Sequence, residues 1–227
     1  MSTSCEKVVE KLKELTNDCL MLFTNGTFHI KTKTFVPDPN INNFYDTMYP
    51  YDANLGIEHK TDVNRILNIL IPNPKTRRLF LRLISNSFFT NRNNNKTIFL
   101  CGSGHENKAF LLKLLQNTLY NYVLYPDDDR DIKTIKDQLL YLRICVVSDP
   151  DPILLDSTNN FNRATIVSTD MPLFLFKDSE DSMSIDIPRT PALNVNRYKL
   201  AEFNKIDHPN SSEWKNAFFQ ILLENVD

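Results

Sequence analysis

Thr97-Ile98-Phe99-Leu100-Cys101-Gly102-Ser103-Gly104-His105-Glu106-Asn107-Lys108-Ala109-Phe110-Leu111-Leu112 is the stretch on which the fold turns. Ile98 to Cys101 form a short apolar run, two of the chain's four glycines follow close together, and an amphipathic segment begins at Lys108. This order predicts a strand, a tight loop and a helix. Backbone N–H groups of such a loop, with a helix N-terminus behind them, can hold a phosphate, and a lysine at the helix start can reach its outer oxygens.

The phosphate-loop pattern known as Walker A asks for glycine, any four residues, glycine, lysine, then serine or threonine. Here Gly102 and Gly104 open the loop, but Asn107, Lys108 and Ala109 close it. Each departure has a physical meaning. Glycine before the lysine permits a left-handed backbone and close phosphate approach, and the hydroxyl after it binds Mg²⁺, for which alanine has no substitute. On these residues alone a plain strand-loop-helix turn fits as well as a phosphate site.

With 227 residues, 41% of them hydrophobic and 24% charged, the chain is long enough to bury a sizeable core. One domain with an appended subdomain is the expected organisation. A net charge of −2 and a pI near 6.1 argue against a surface that is basic all over. Basic residues nevertheless concentrate locally: Lys60, Arg65, Lys75, Arg77, Arg78, Arg82, Arg92 and Lys96 face only Asp62 over that span. Cys5, Cys19, Cys101 and Cys145 make no paired ligand spacing, so buried reduced thiols are expected and no metal site is assigned. No window has the apolar length of a membrane span and no signal-peptide pattern opens the chain, so an intracellular protein is expected.

Outward from the central stretch, helical spacing of Val8, Val9, Leu12 and Leu15 predicts a helix over 5–17. Asn25-Gly26 between apolar runs predicts a hairpin with a type I′ turn, pairing Leu20–Phe23 with Thr27–Lys31. Past Phe35, a Pro37-Asp38-Pro39 turn and the aromatic segment 44–51 are expected to be irregular and packed on that hairpin. Asp62 is placed to cap a helix through Val63 and Leu70, stopped by Pro72 and Pro74, and a basic helix follows from Lys75 to Phe88. Beyond the central stretch come an acidic turn at 126–131, a helix over 132–142 and a β-branched strand leading from Arg143 to Asp149-Pro150-Asp151. Ala164–Ser168 reads as a strand ending at Thr169-Asp170-Met171-Pro172, and 184–188 as a short final strand. Asn210 and Glu213 have capping-box spacing ahead of a helix whose Trp214, Phe218, Ile221, Leu222 and Val226 share one face.

The order of these motifs resembles the superfamily 3 helicases of large DNA viruses, in particular the helicase part of the poxvirus-type primase-helicase. Leu22-Phe23-Thr24-Asn25-Gly26-Thr27-Phe28 is similar to the family's hairpin text, and Met48-Tyr49-Pro50-Tyr51-Asp52 to its Pro-Tyr-Asp segment. Gly102 to Ala109 occupies the Walker A position, and Arg143 to Asp151 resembles the Walker B text with Asp149 at the acidic position. Thr165 to Pro172 resembles the sensor segment, with Thr169 where the family has asparagine, and the terminal helix resembles the family's closing Trp-to-Leu text. Arg189 is the nearest substitute for the arginine that reaches a neighbouring subunit's nucleotide.

The resemblance implies an α/β fold: a mainly parallel sheet flanked by helices, like a P-loop ring ATPase, behind an N-terminal β-hairpin and a small helical subdomain. The implied divisions are 1–61 for the N-terminal region, 62–96 for the basic helical subdomain and 97–227 for the degenerate helicase-like domain. Asp149, Thr169 and Arg189 are then vestigial catalytic positions, and Gly102, Gly104, Asn107, Lys108 and Ala109 a vestigial nucleotide site. Arg77, Arg78 and Arg82 are candidate nucleic-acid contacts. Phosphoryl transfer is almost wholly positioning and charge stabilisation, so loss of the metal hydroxyl, the sensor and the arginine together predicts lost turnover.

The expected function is a pseudo-helicase subunit of a viral DNA replication or transcription machinery. It would bind a protein partner, such as an active viral helicase or another replication factor, with DNA and self-assembly as further partners, at intracellular replication sites and without a cofactor. Two alternatives stand beside it. One is a residual ATPase using ATP and Mg²⁺; the other is a structural or host-interaction protein on a borrowed helicase fold.

Overall fold

In a computed structural model the described residues are 20–38, 49–89, 97–124, 144–148, 164–168, 182–187 and 211–226. The expected helices over 5–17 and 132–142, the acidic turn at 126–131 and the aromatic residues at 44–48 lie outside them.

The N-terminal unit is a three-stranded antiparallel sheet, β1 (Leu20–Phe23), β2 (Gly26–His29) and β3 (Thr34–Pro37), in that order. The hairpin expected from Asn25-Gly26 is present, but its turn is different. Phe23 pairs with Gly26, so Thr24 and Asn25 form the two-residue connection, and neither Asn25 nor Gly26 has positive φ. Gly26 is required by proximity instead of by a left-handed turn. A Cβ there would stand 2.4 Å from the Val36 carbonyl oxygen and 2.5 Å from the Phe35 ring. The chain past Phe35 was expected to be irregular, but Val36 and Pro37 continue β3, which pairs with β2 after a turn in which Lys33 takes φ 53°.

α1 spans Ala53–Leu70 and begins well before the expected cap at Asp62. Its cap is Asp52, whose carboxylate accepts from the N–H groups of Asn54 at 2.8 Å and Leu55 at 3.3 Å. α2 (Pro74–Phe89) is capped by Asn73, which accepts from Lys75 N–H at 2.9 Å, with Pro74 in the first turn where its missing N–H costs nothing.

The second sheet holds β4 (Thr97–Cys101), β5 (Val123–Leu124), β6 (Ile144–Ser148), β7 (Ala164–Ser168) and β8 (Ser182–Asp186). All its pairings are parallel and its order is β5-β6-β7-β4-β8. Ile98, Leu100, Ile144, Val146, Ile166 and Ile185 are buried, as strands covered by helices require. α3 (His105–Leu119) follows β4 and starts at His105, ahead of the expected Lys108, because Gly104 serves as its N-cap. Asn107 and Lys108 are therefore first-turn helical residues.

α4 (Ser212–Glu224) is capped by Ser211, whose Oγ accepts from Trp214 N–H at 3.3 Å; the cap is one residue later than the expected Asn210. The helix is buried on nearly every side: Trp214, Ala217, Phe218, Phe219, Ile221, Leu222 and Leu223 all enter the core, and it packs on α1, α2 and α3. One continuous hydrophobic cluster joins β1 and β2, α1 to α4 and the parallel sheet.

Candidate phosphate-loop site

β4 lies inside the parallel sheet, hydrogen-bonded to β7 on one side and β8 on the other, with Leu100 opposite Ser168 and Cys101 opposite Asp186. Ser168 in turn stands opposite Ser148, so β4, β6 and β7 end at one edge of the sheet. The Ile187 N–H donates to the Cys101 carbonyl at 3.0 Å, extending the β4–β8 pairing to the point where the loop begins.

The loop itself is short. Gly102 takes φ 91°, a backbone region in which a side chain is strained, and Gly104 delivers the chain into α3 without a side-chain cap. Two parts of the expected site thus come together here: the strand-loop-helix unit and the lysine. Lys108 is only 3% exposed, and its Nζ donates to the Gly102 carbonyl oxygen at 2.8 Å. The amine closes the loop on itself. Asn107 is also buried, at 5% exposure, whereas Ala109 is exposed and offers no oxygen to a cation.

Asp149 and Thr169 directly follow the last residues of β6 and β7 in sequence, and they lie outside the described residues, as does Arg189. Among the described residues no group of three or more His, Cys, Asp or Glu is placed to hold a metal ion. Cys101 and Cys145 are buried thiols outside any disulfide, and burial pushes the Cys145 thiol up to about 11.

The candidate nucleic-acid arginines separate into two kinds. Arg77 is half-buried and donates through Nη1 to the Ile71 carbonyl at 2.7 Å and the Pro72 carbonyl at 3.4 Å, which ties the start of α2 to the end of α1. Arg78 and Arg82 are exposed and line a cavity of ≈ 310 Å³ with Pro74, Lys75 and Leu79. Lys75 was missing from the arginine set chosen by sequence. Its three-residue and seven-residue offsets from Arg78 and Arg82 were the available signal.

No protein-family model matches this chain and no curated protein matches it. Solved structures do. The A-form apo structure of the NrS-1 C-terminal region is 10% identical, with a TM-score of 0.52 over 72% of this chain and 46% of that one. A second apo structure of that region, covering its residues 305–718, is 11% identical with a TM-score of 0.49 over 70% of this chain and 44% of that one. This chain therefore spans less than half of the NrS-1 region it matches. At such identity the likeness is one of fold, and it agrees with a mixed α/β architecture built on a small parallel sheet flanked by helices.

Proposed function

We propose that this chain is a helicase-like module that has lost ATP turnover and acts by binding other macromolecules within a viral DNA replication or transcription machinery. The observation that carries the reading is the bond from Lys108 Nζ to the Gly102 carbonyl. Lys108 Nζ donates to a carbonyl of its own loop, beside Ala109, which cannot ligate a cation. The order of the sequence motifs, and the convergence of β4, β6 and β7 at one sheet edge, support descent from a P-loop ring ATPase. A protein partner, such as an active helicase or another replication factor, comes first in this reading and DNA second.

A residual nucleotide site is the second reading. The left-handed Gly102 and the helix start at Gly104 favour it, because they keep a loop whose N–H groups and helix dipole suit an anion. Titration with fluorescent ATP and ADP, with and without Mg²⁺ and beside Lys108→Ala, separates the two. The first reading expects dissociation constants of about 1 mM or weaker, unchanged by the substitution. Micromolar binding that disappears in Lys108→Ala would overturn it in favour of the second.

A further inference from the structure

We infer that the outward face of the three-stranded sheet, centred on Leu22, is the seat of an amphipathic helix supplied by segment 5–17 of this same chain, which lies outside the described residues. The strand register divides the side chains of β1, β2 and β3 between two faces. Met21, Phe23, Phe28 and Phe35 share one, and that face belongs to the hydrophobic core or packs against it. Leu20, Leu22, Thr27, His29, Thr34 and Val36 share the other.

This second face is covered on one side only. Leu22 is 8% exposed, yet it has no place in the continuous hydrophobic cluster that takes in its neighbours Met21 and Phe23. Along the row that pairs Leu22 with Thr27 and Thr27 with Val36, the side chains pass from buried through half-buried to 50% exposed. In the next row Leu20 and His29 are half-buried and Thr34 is exposed. The cover therefore lies over β1, and the core does not supply it.

Two segments of the chain adjoin this sheet. The one that leaves β3, residues 39–48, starts beside the uncovered strand. Both its ends are fixed at the hairpin turn, where Asp38 N–H donates to the Asn25 carbonyl at 3.0 Å and Thr24 N–H to the Tyr49 carbonyl at 3.4 Å. The one that enters β1 has the chemistry and the tether that the cover needs. Val8, Leu12 and Leu15 recur at i, i+4 and i+7, the stripe by which a helix packs on a sheet, while Glu6, Glu10 and Glu14 fall outside it. Asp18 and Cys19 alone separate this segment from β1, and three Cα steps reach at most about 11 Å, close to the ~10 Å between packed layers. The core face of β1 is already filled, so a helix tethered this closely has the outward face on which to bury its stripe.

The test is a double-mutant cycle on the full chain, read by urea unfolding. Leu22→Ala should lower the folding constant at least tenfold. Combined with Leu12→Ala or Leu15→Ala, it should lose at least threefold less than the product of the single losses, whereas independent sites match that product within about twofold. Glu10→Ala, away from the stripe, should show no coupling. Leu20→Ala, at the half-buried neighbour of Leu22, carries the same cycle if Leu22→Ala does not fold. Losses that simply multiply for both Leu12 and Leu15 would overturn the inference. Coupling of Leu22 to Phe44→Ala in their place would overturn it in favour of residues 39–48, and coupling that emerges only as protein concentration rises would overturn it in favour of a second copy of the chain.

Discussion

The side-chain amide of Asn25 pairs with the backbone of Tyr51 on both of its edges: Oδ1 accepts from the Tyr51 N–H at 2.9 Å and Nδ2 donates to the Tyr51 carbonyl at 3.0 Å. Asn25 thereby stands in for one residue of a β-ladder. It joins the first hairpin to the chain entering α1, and its own carbonyl accepts from Asp38 N–H at 3.0 Å. Tyr51 is fixed in turn by Gln220 Nε2, which donates to its hydroxyl at 2.6 Å, and by contacts with the Phe23, Phe28, Phe35 and Phe219 rings.

Asn25→Ala should therefore destabilise the fold by about 1–3 kcal/mol, because two partly buried backbone groups lose their partner. Asn25→Asp should do comparable damage, since a carboxylate cannot donate to the Tyr51 carbonyl. Urea unfolding measures both. An Asp variant as stable as wild type would mean that only the accepting half of the pair matters.

Gly56 lets α1 and α4 meet. A Cβ there would come within 2.6 Å of Gln220 Cγ and 3.0 Å of the Asn216 carbonyl oxygen. Asn216 is fully buried and stitches the same crossing: its Oδ1 accepts from Asp52 N–H at 2.8 Å and its Nδ2 donates to the Pro50 carbonyl at 3.0 Å. Alanine inside a helix normally gains about 1 kcal/mol over glycine, yet here overpacking of about 1–3 kcal/mol opposes that gain. Gly56→Ala should lower the midpoint of thermal unfolding, and a rise would show that the two helices can move apart freely.

These contacts explain what could be read from the sequence and what could not. Ile98 to Cys101 and Ala164 to Ser168 were legible as strands because β-branched and apolar residues run without interruption where both faces of a sheet are covered. The first residues of α1 were not. Gly56 and the polar run Glu58-His59-Lys60-Thr61 carry no apolar period, and this part of the helix is held by Asn216 and Gln220 from the far end of the chain. β3 was hidden because most of its residues are exposed and it ends in proline. At the site, the two glycines and the lysine were visible, but the decisive bond, from Lys108 to a carbonyl six residues back, belongs to the folded loop and has no signature in residue type.

Stability should fall steeply in alkali. Burial, and then the neighbouring Tyr51, hold the Tyr49 hydroxyl well above its ordinary value of 10.0, and burial raises the Cys145 thiol from 9.0 to about 11. Both groups ionise first in the unfolded chain, which then binds fewer protons than the folded one, so unfolding free energy declines as pH rises. For Cys145 the contribution is complete below pH 9.0 and lost on approach to about 11, worth about 2–3 kcal/mol. Urea unfolding from pH 8 to 11 with reductant present should show this decline, and Cys145→Ala should flatten its lower part. An unchanged slope in that variant would remove the thiol from the account.

Lys108 offers the sharpest separation of structural from catalytic roles. If its amine serves the loop, Lys108→Met should lose about 1–3 kcal/mol of stability with no nucleotide present, because the Gly102 carbonyl is left without this donor beside a strained glycine. By the same reasoning, millimolar ATP with Mg²⁺ should not shift the thermal midpoint of the wild type. A site with micromolar affinity would gain about 4 kcal/mol at a thousandfold excess of ligand over its dissociation constant. Calorimetry of both proteins with and without ATP measures the two effects together. A stable Lys108→Met variant, paired with a large ATP-induced rise in the wild type alone, would return this lysine to phosphate binding.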